Sequence, residues 1–112
     1  MQRVEIVRGT SLTLDITITD ASGNAFSLES GQKIVFGVKA EFSDETLLIR
    51  KLITTGTDGV FKVNLVPADT ESLDAGRYYY DVGLVNGSDY LNVIEPNPFI
   101  VKENVTKRGD GA

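Results

Sequence analysis

Leu12-Thr-Leu-Asp-Ile-Thr-Ile-Thr19 alternates apolar and polar residues without a fault for its whole length. Period two is the side-chain period of a strand. Leu12, Leu14, Ile16 and Ile18 therefore share one face, and Thr13, Asp15, Thr17 and Thr19 share the other. The stretch reads as a half-buried strand with its polar side in water. Toward either terminus the same signal recurs. Val4 and Ile6 alternate with charged residues in a short first strand. Asp20-Ala-Ser-Gly-Asn24 supplies turn chemistry, and Ile34, Phe36 and Val38 form the inward set of a run from Lys33 to Lys39. Leu47 to Ile53 is a further strand, with an apolar pattern too dense to fix its facing.

Asp58-Gly59 is a hairpin signal, because a tight primed turn needs positive φ at both central residues. It leads into Val60 to Val66, with Phe61, Val63 and Leu65 inward. Arg77 to Val85 follows, with Tyr78, Tyr80, Val82 and Leu84 on one face. Asn86-Gly87 marks another hairpin, returning as Tyr90 to Ile94. Glu95-Pro-Asn-Pro98 interrupts that strand, since proline donates nothing to a ladder, and Phe99 to Lys102 resumes it. The first strand and the strand ending at Lys102 are the expected sheet edges. Ala68 to Leu73 is the one helical candidate, a single turn capped by Asp69 or Thr70 and stopped by Gly76. Strands spaced this evenly predict one antiparallel β-domain of seven to nine strands over residues 1–112, with residues 103–112 as a flexible polar tail.

The chain has 112 residues, of which 41% are hydrophobic and 24% charged. That is the balance of a folded domain. It contains no His, Cys or Trp. Zinc fingers, Cys–His nucleophiles, Ser–His–Asp triads, iron–sulfur sites and disulfides are therefore excluded. The net charge of −5 comes from 11 Lys+Arg against 16 Asp+Glu, and the cations are scattered apart from Arg50-Lys51 and Lys107-Arg108. Nucleic acid is not expected as a partner. No apolar run reaches the length of a membrane helix, so no membrane insertion is expected. The charged start Met1 to Arg8 lacks the apolar core of a signal peptide. Maturation in a cytoplasm, or export by a route other than Sec, is the expectation.

Leu73-Asp-Ala-Gly-Arg-Tyr-Tyr-Tyr80 resembles the Asp-x-Gly-x-Tyr-x-Cys signature of immunoglobulin domains. Asp74, Gly76 and Tyr78 match, and Tyr80 stands where the second cysteine would be. The spacing suits a tyrosine corner, in which a buried hydroxyl bonds backbone a few residues upstream as the chain crosses between sheets. No first cysteine and no tryptophan accompany it, so the resemblance is to the sandwich architecture. A longer block runs from Asp58-Gly59-Val60 through Leu65-Val66-Pro67, Asp69-Thr70, Leu73, Gly76, Tyr78 and Tyr80-Asp-Val82 to Pro98-Phe99, Val101 and Val105-Thr106. It resembles small immunoglobulin-like proteins of tailed-phage and prophage tail, neck and baseplate clusters, and the N-terminal module of baseplate upper proteins in particular. The resemblance implies an all-β immunoglobulin-like sandwich and a non-enzymatic structural or assembly part. That part would sit in a virion, or in the host cytoplasm during assembly, and contact other phage proteins or copies of itself. The alternative is a carbohydrate-binding or adhesin-like domain.

Candidate sites are few. Asp69, Glu71 and Asp74 lie close in sequence but lack calcium-loop spacing, and turn or cap duty accounts for each. Asp15 and Asp81 are predicted to face outward, with no separation readable for paired acid–base work. No catalytic residue, metal or cofactor is expected, and Arg108-Gly-Asp110 in the tail is read as chance. Tyr79, Ile100 and Tyr90 fall on outward positions. They form either ordinary sheet surface or a patch that contacts a neighbouring subunit or a sugar.

Overall fold

Turn residues fix where the chain reverses, and the alternating runs between them pair into two sheets. The computed structural model describes residues 3–41 and 43–105. Among these are seven strands: β1 (Val4–Val7), β2 (Leu12–Thr17), β3 (Gln32–Lys39), β4 (Ile49–Ile53), β5 (Val60–Leu65), β6 (Gly76–Asn86) and β7 (Asp89–Lys102). One helical turn, α1 (Pro67–Thr70), joins β5 to β6. One sheet has the order β1-β7-β6-β3-β4, and the other pairs β2 with β5. The expectations for the tail beyond Val105, Arg108-Gly-Asp110 included, lie outside the described residues.

The inward residues of both sheets make one core. Ile16 from β2 and Phe61, Val63 and Leu65 from β5 meet Ile34, Phe36 and Val38 from β3 and Tyr80 and Val82 from β6. Phe36, Tyr80 and Phe99 form an aromatic cluster with centroids 5.5–6.4 Å apart, spacings at which tilted and edge-on rings attract. Tyr80 thus fills the place expected for a cysteine with a ring against Phe36.

Several local expectations change in detail. The sandwich is not wholly antiparallel, because β1 runs parallel to the end of β7, with Val4 opposite Phe99 and Val7 opposite Lys102. Apolar alternation is the same for either direction, so only the connection could have told them apart. The end of β7 is consequently an interior position, and the edges of this sheet are β1 and β4. β7 is also continuous through Pro96 and Pro98, since register shifts opposite Asp81 and beside Val82 absorb the extra residues. Thr57-Asp58-Gly59-Val60 closes a two-residue turn with both central φ positive. Yet β4 and β5 belong to different sheets, so the turn serves a crossing and not a ladder. The β6–β7 turn is centred on Gly87-Ser88, one residue later than expected, with φ +61° at Gly87.

The helical turn begins earlier than expected because Pro67 presets the φ of its first residue. Neither Asp69 nor Thr70 occupies the N-cap. Asp69 sits inside the turn, and its carboxylate accepts the Val66 N–H at 2.8 Å. Thr70 is fully buried, and its hydroxyl oxygen accepts the Gly9 N–H at 2.8 Å. Lys51 of β4 reaches the same Asp69 carboxylate at 2.9 Å. This end of the sandwich is therefore laced to both sheets.

Candidate functional site

The outer face of the five-stranded sheet is built from alternate residues of each strand, read off the register row by row. Leu52, Val35, Gly83 and Asn92 form one row. Arg50, Gly37 and Asp81 form the next, with Glu95 and Pro96 in the bulge opposite Asp81. Lys39, Tyr79 and Pro98 follow, then Arg77, Ile100 and Glu5. At the other end lie Lys33, Val85 and Tyr90.

Two glycines in neighbouring rows let large side chains lie flat on the sheet. A Cβ on Gly37 would stand 2.9 Å from the Leu47 side chain, and one on Gly83 would overlap the hydroxyl end of the Tyr90 side chain. Both glycines are buried as a result, although their positions face outward. Tyr90 still exposes 57% of its surface, while Leu48 and Leu52 expose 46% and 45%. Burial, and then the nearby Asp81 charge, push the Tyr90 hydroxyl pKa above its usual value. Asp81 in turn accepts a hydrogen bond from Asn92 at 3.2 Å. A shallow depression of about 150 Å³ beside it is lined in part by Gly37, Lys39, Leu47, Tyr79, Asp81 and Pro96.

The three outward residues singled out in the sequence all lie on this face, but not together. Tyr79 and Ile100 are half-buried near one end. Tyr90 pairs with Val85, six positions further along β6 and so about 20 Å away. Between them lie residues that the sequence did not single out: Leu47, Leu52, Arg50, Gly37 and Gly83. The dense apolar run of β4 hid its own contribution. The signal that was available is a glycine at an outward position in each of two strands, Gly37 and Gly83.

The tyrosine corner lies at the α1 end. The Tyr78 hydroxyl donates to the Asp74 carbonyl at 2.7 Å, one residue past the Ala68–Leu73 connection. Asp74 contributes its carbonyl, and Gly76 supplies a φ of +155° at the sharp entry to β6. Burial and the Asp74 charge push the Tyr78 hydroxyl pKa up, and burial does the same for Tyr80. Removing the hydroxyl by Tyr78→Phe is expected to cost about 1–3 kcal/mol, because the part-buried bond that ties the buried Tyr78 ring to the Asp74 carbonyl is lost. The raised pKa values mean that folding favours the protonated phenols. Their contribution is complete below the ordinary tyrosine pKa of 10.0 and is lost as pH rises through the folded-state values. Urea titrations from pH 8 to 11.5 should show stability falling in the alkaline limb, less steeply in Tyr78→Phe. An unchanged midpoint at neutral pH would refute the corner.

The acidic residues are otherwise occupied or apart. Asp69 serves Val66 and Lys51, and among the described residues no three His, Cys, Asp or Glu side chains group as a metal site. Asp15 lies on the outer face of the two-stranded sheet, 2.9 Å from Lys62, whereas Asp81 lies on the outer face of the other. The core separates them.

A two-stranded β2–β5 sheet, a second sheet in which β6 lies between β3 and β7, and a tyrosine bonded back across the connection define an immunoglobulin-like all-β sandwich. No protein-family model and no curated protein matches the chain. Among solved structures it is similar to the extracellular domains of the voltage-gated sodium channel beta4 subunit, described as parallel homodimers with a role in cell–cell adhesion. The likeness covers 93% of this chain and 92% of the other, with 18% identity and a TM-score of 0.47. At that level it carries nothing about role.

Proposed function

We propose that the chain is a structural or assembly module of a tailed-phage or prophage particle, working by protein–protein contact through the outer face of its five-stranded sheet. The observation that carries the contact reading is the face itself. It is broad, its depression is shallow, and exposed Leu48, Leu52 and Tyr90 surround two glycine-floored strips. Small-molecule sites are concave and commonly enclose about 300–1,000 Å³, whereas a flat, partly apolar surface with a polar surround has the anatomy of a protein interface. The particle reading is supported by the block from Asp58 to Thr106 that resembles phage tail and baseplate modules. A carbohydrate-binding role is the second reading, favoured by Tyr90 lying flat beside Asp81 and Asn92 as a stacking platform.

One pair of titrations separates the two. Light scattering of the domain with candidate tail and baseplate proteins is expected to show complexes. Tyr79→Lys and Ile100→Lys should abolish them while leaving the melting temperature nearly unchanged. A wild-type domain that ignores those proteins, yet shows tyrosine quenching with glycans, would establish the second reading instead.

A further inference from the structure

The ion pairs of this chain are distributed unevenly. Among the described residues Arg3 and Lys102 pair with Glu5, Arg8 with Glu103, Lys51 with Asp69 and Lys62 with Asp15. The four described cations without such a carboxylate are Lys33, Lys39, Arg50 and Arg77. All four lie on the outer face of the five-stranded sheet. In a chain of net charge −5, the described cations left over from internal pairing have collected on one surface.

They are also sorted across it. Lys33, Lys39 and Arg50 stand on β3 and β4, while Asp81 on β6 and Glu95 in the β7 bulge stand on the other half. Arg77, at the far end of β6, is the exception. Arg50 shares its row with Asp81 and the Glu95 bulge. Across both halves run Leu52, Val35 and Gly83, with Leu47 and Tyr90 lying over the glycines.

We propose that this face pairs with the same face of a second copy of the chain, about a two-fold axis lying in the interface and running along the strands. That axis carries β4 of one copy over β7 of the other and keeps each row at its own level. Arg50 of each copy then meets Asp81 and Glu95 of the other, Lys39 comes within reach of Asp81, and the Leu52–Val35–Gly83 strip closes on itself. An axis across the strands would put β4 on β4 and β7 on β7, setting like charges opposite one another. The charge sorting therefore selects the occupant and its orientation together. An isologous contact of this kind closes on itself and makes a dimer. Five strands about 4.8 Å apart, followed over about eight residue steps of about 3.3 Å each, give a face of roughly 600 Å². That is slightly below the about 800 Å² per partner of a standard interface, so the dimer should dissociate on dilution. A nucleic acid or other polyanion fits less well, because Asp81 and Glu95 stand among the cations and the centre is apolar.

The proposal rests on the contact reading above, and its test is separate from that reading. Sedimentation of the intact chain from 10 µM to 1 mM should show a monomer–dimer equilibrium weakened by salt. Arg50→Glu and Glu95→Arg should each weaken self-association by about tenfold or more. Mixing the two variants should restore dimers, because every 50–95 contact between unlike copies is again attractive. Full-strength dimers from either variant alone would overturn the proposal, as would a mixture that stays monomeric. If Arg50→Glu dimerises better with wild type than wild type does with itself, the axis runs across the strands and the proposal fails. A wild type monomeric at 1 mM defeats self-pairing outright, and binding to particle proteins would then leave the contact reading intact.

Discussion

Phe36→Ala is expected to lower the stability of the domain by about 4 kcal/mol, the middle of the range for emptying a buried aromatic site. Phe36 is fully buried on β3 and packs against Tyr80 and Phe99. Strand β3 is fixed by β4 on one side and β6 on the other, so the backbone has little freedom to collapse into the space left behind. A domain of this size has a total stability of only about 5–15 kcal/mol. With a urea slope of about 2 kcal/mol/M, the unfolding midpoint should fall by about 2 M. The adjacent outward residue provides the control. Val35→Thr should stay within about 0.5 kcal/mol, as surface changes do. Similar losses at both positions would mean that β3 does not alternate between core and solvent as described.

Gly59→Ala is expected to cost about 3 kcal/mol, a large amount for one methyl group. Gly59 has a φ of +79°, and a Cβ there would lie 2.7 Å from the Ile18 carbonyl oxygen. Left-handed backbone alone costs a side chain roughly 1–2 kcal/mol. The rest comes from pushing apart the segments joined by the Ile18 N–H, which donates to the Gly59 carbonyl at 2.8 Å. Gly87→Ala isolates the first contribution, since φ is +61° with open space around the Cβ position, and should cost about 1 kcal/mol. Melting temperatures should separate the two variants by about 10 °C. Equal shifts would show that the close approach of β2 to the turn contributes nothing.

What the sequence revealed was set by the range of each interaction. Leu12 to Ile18 and Phe61 to Leu65 declare their inward faces through period two alone. The Asp58-Gly59 turn and the Asp74–Tyr78 bond were readable because each is settled within five residues. The parallel seat of β1 was not, since Val4 and Ile6 show the same alternation whichever way the neighbour runs. β7 looked broken at Pro96 and Pro98 because a bulge is defined by its partner strand, here at Asp81. The candidate face suffered most. Leu47 and Leu52 were lost in the dense apolar run from Leu47 to Ile53, and Gly37 and Gly83 gained meaning only once Leu47 and Tyr90 were seen to cover them. That Lys33, Lys39, Arg50 and Arg77 have no ion pair among the described residues is a fact of tertiary register which no composition discloses.

The parallel seating of β1 against the last four residues of β7 has a mechanical consequence. The chain enters this pair at Val4, opposite Phe99, and leaves it at Lys102, opposite Val7. A force drawing the two flanking segments apart would therefore pull the strands lengthwise past one another. Every hydrogen bond between them would be loaded at once, whereas a peeling pull would break them one at a time. In an assembly that transmits strain through its subunits, this short terminal clasp would govern how much tension the sandwich bears before it opens.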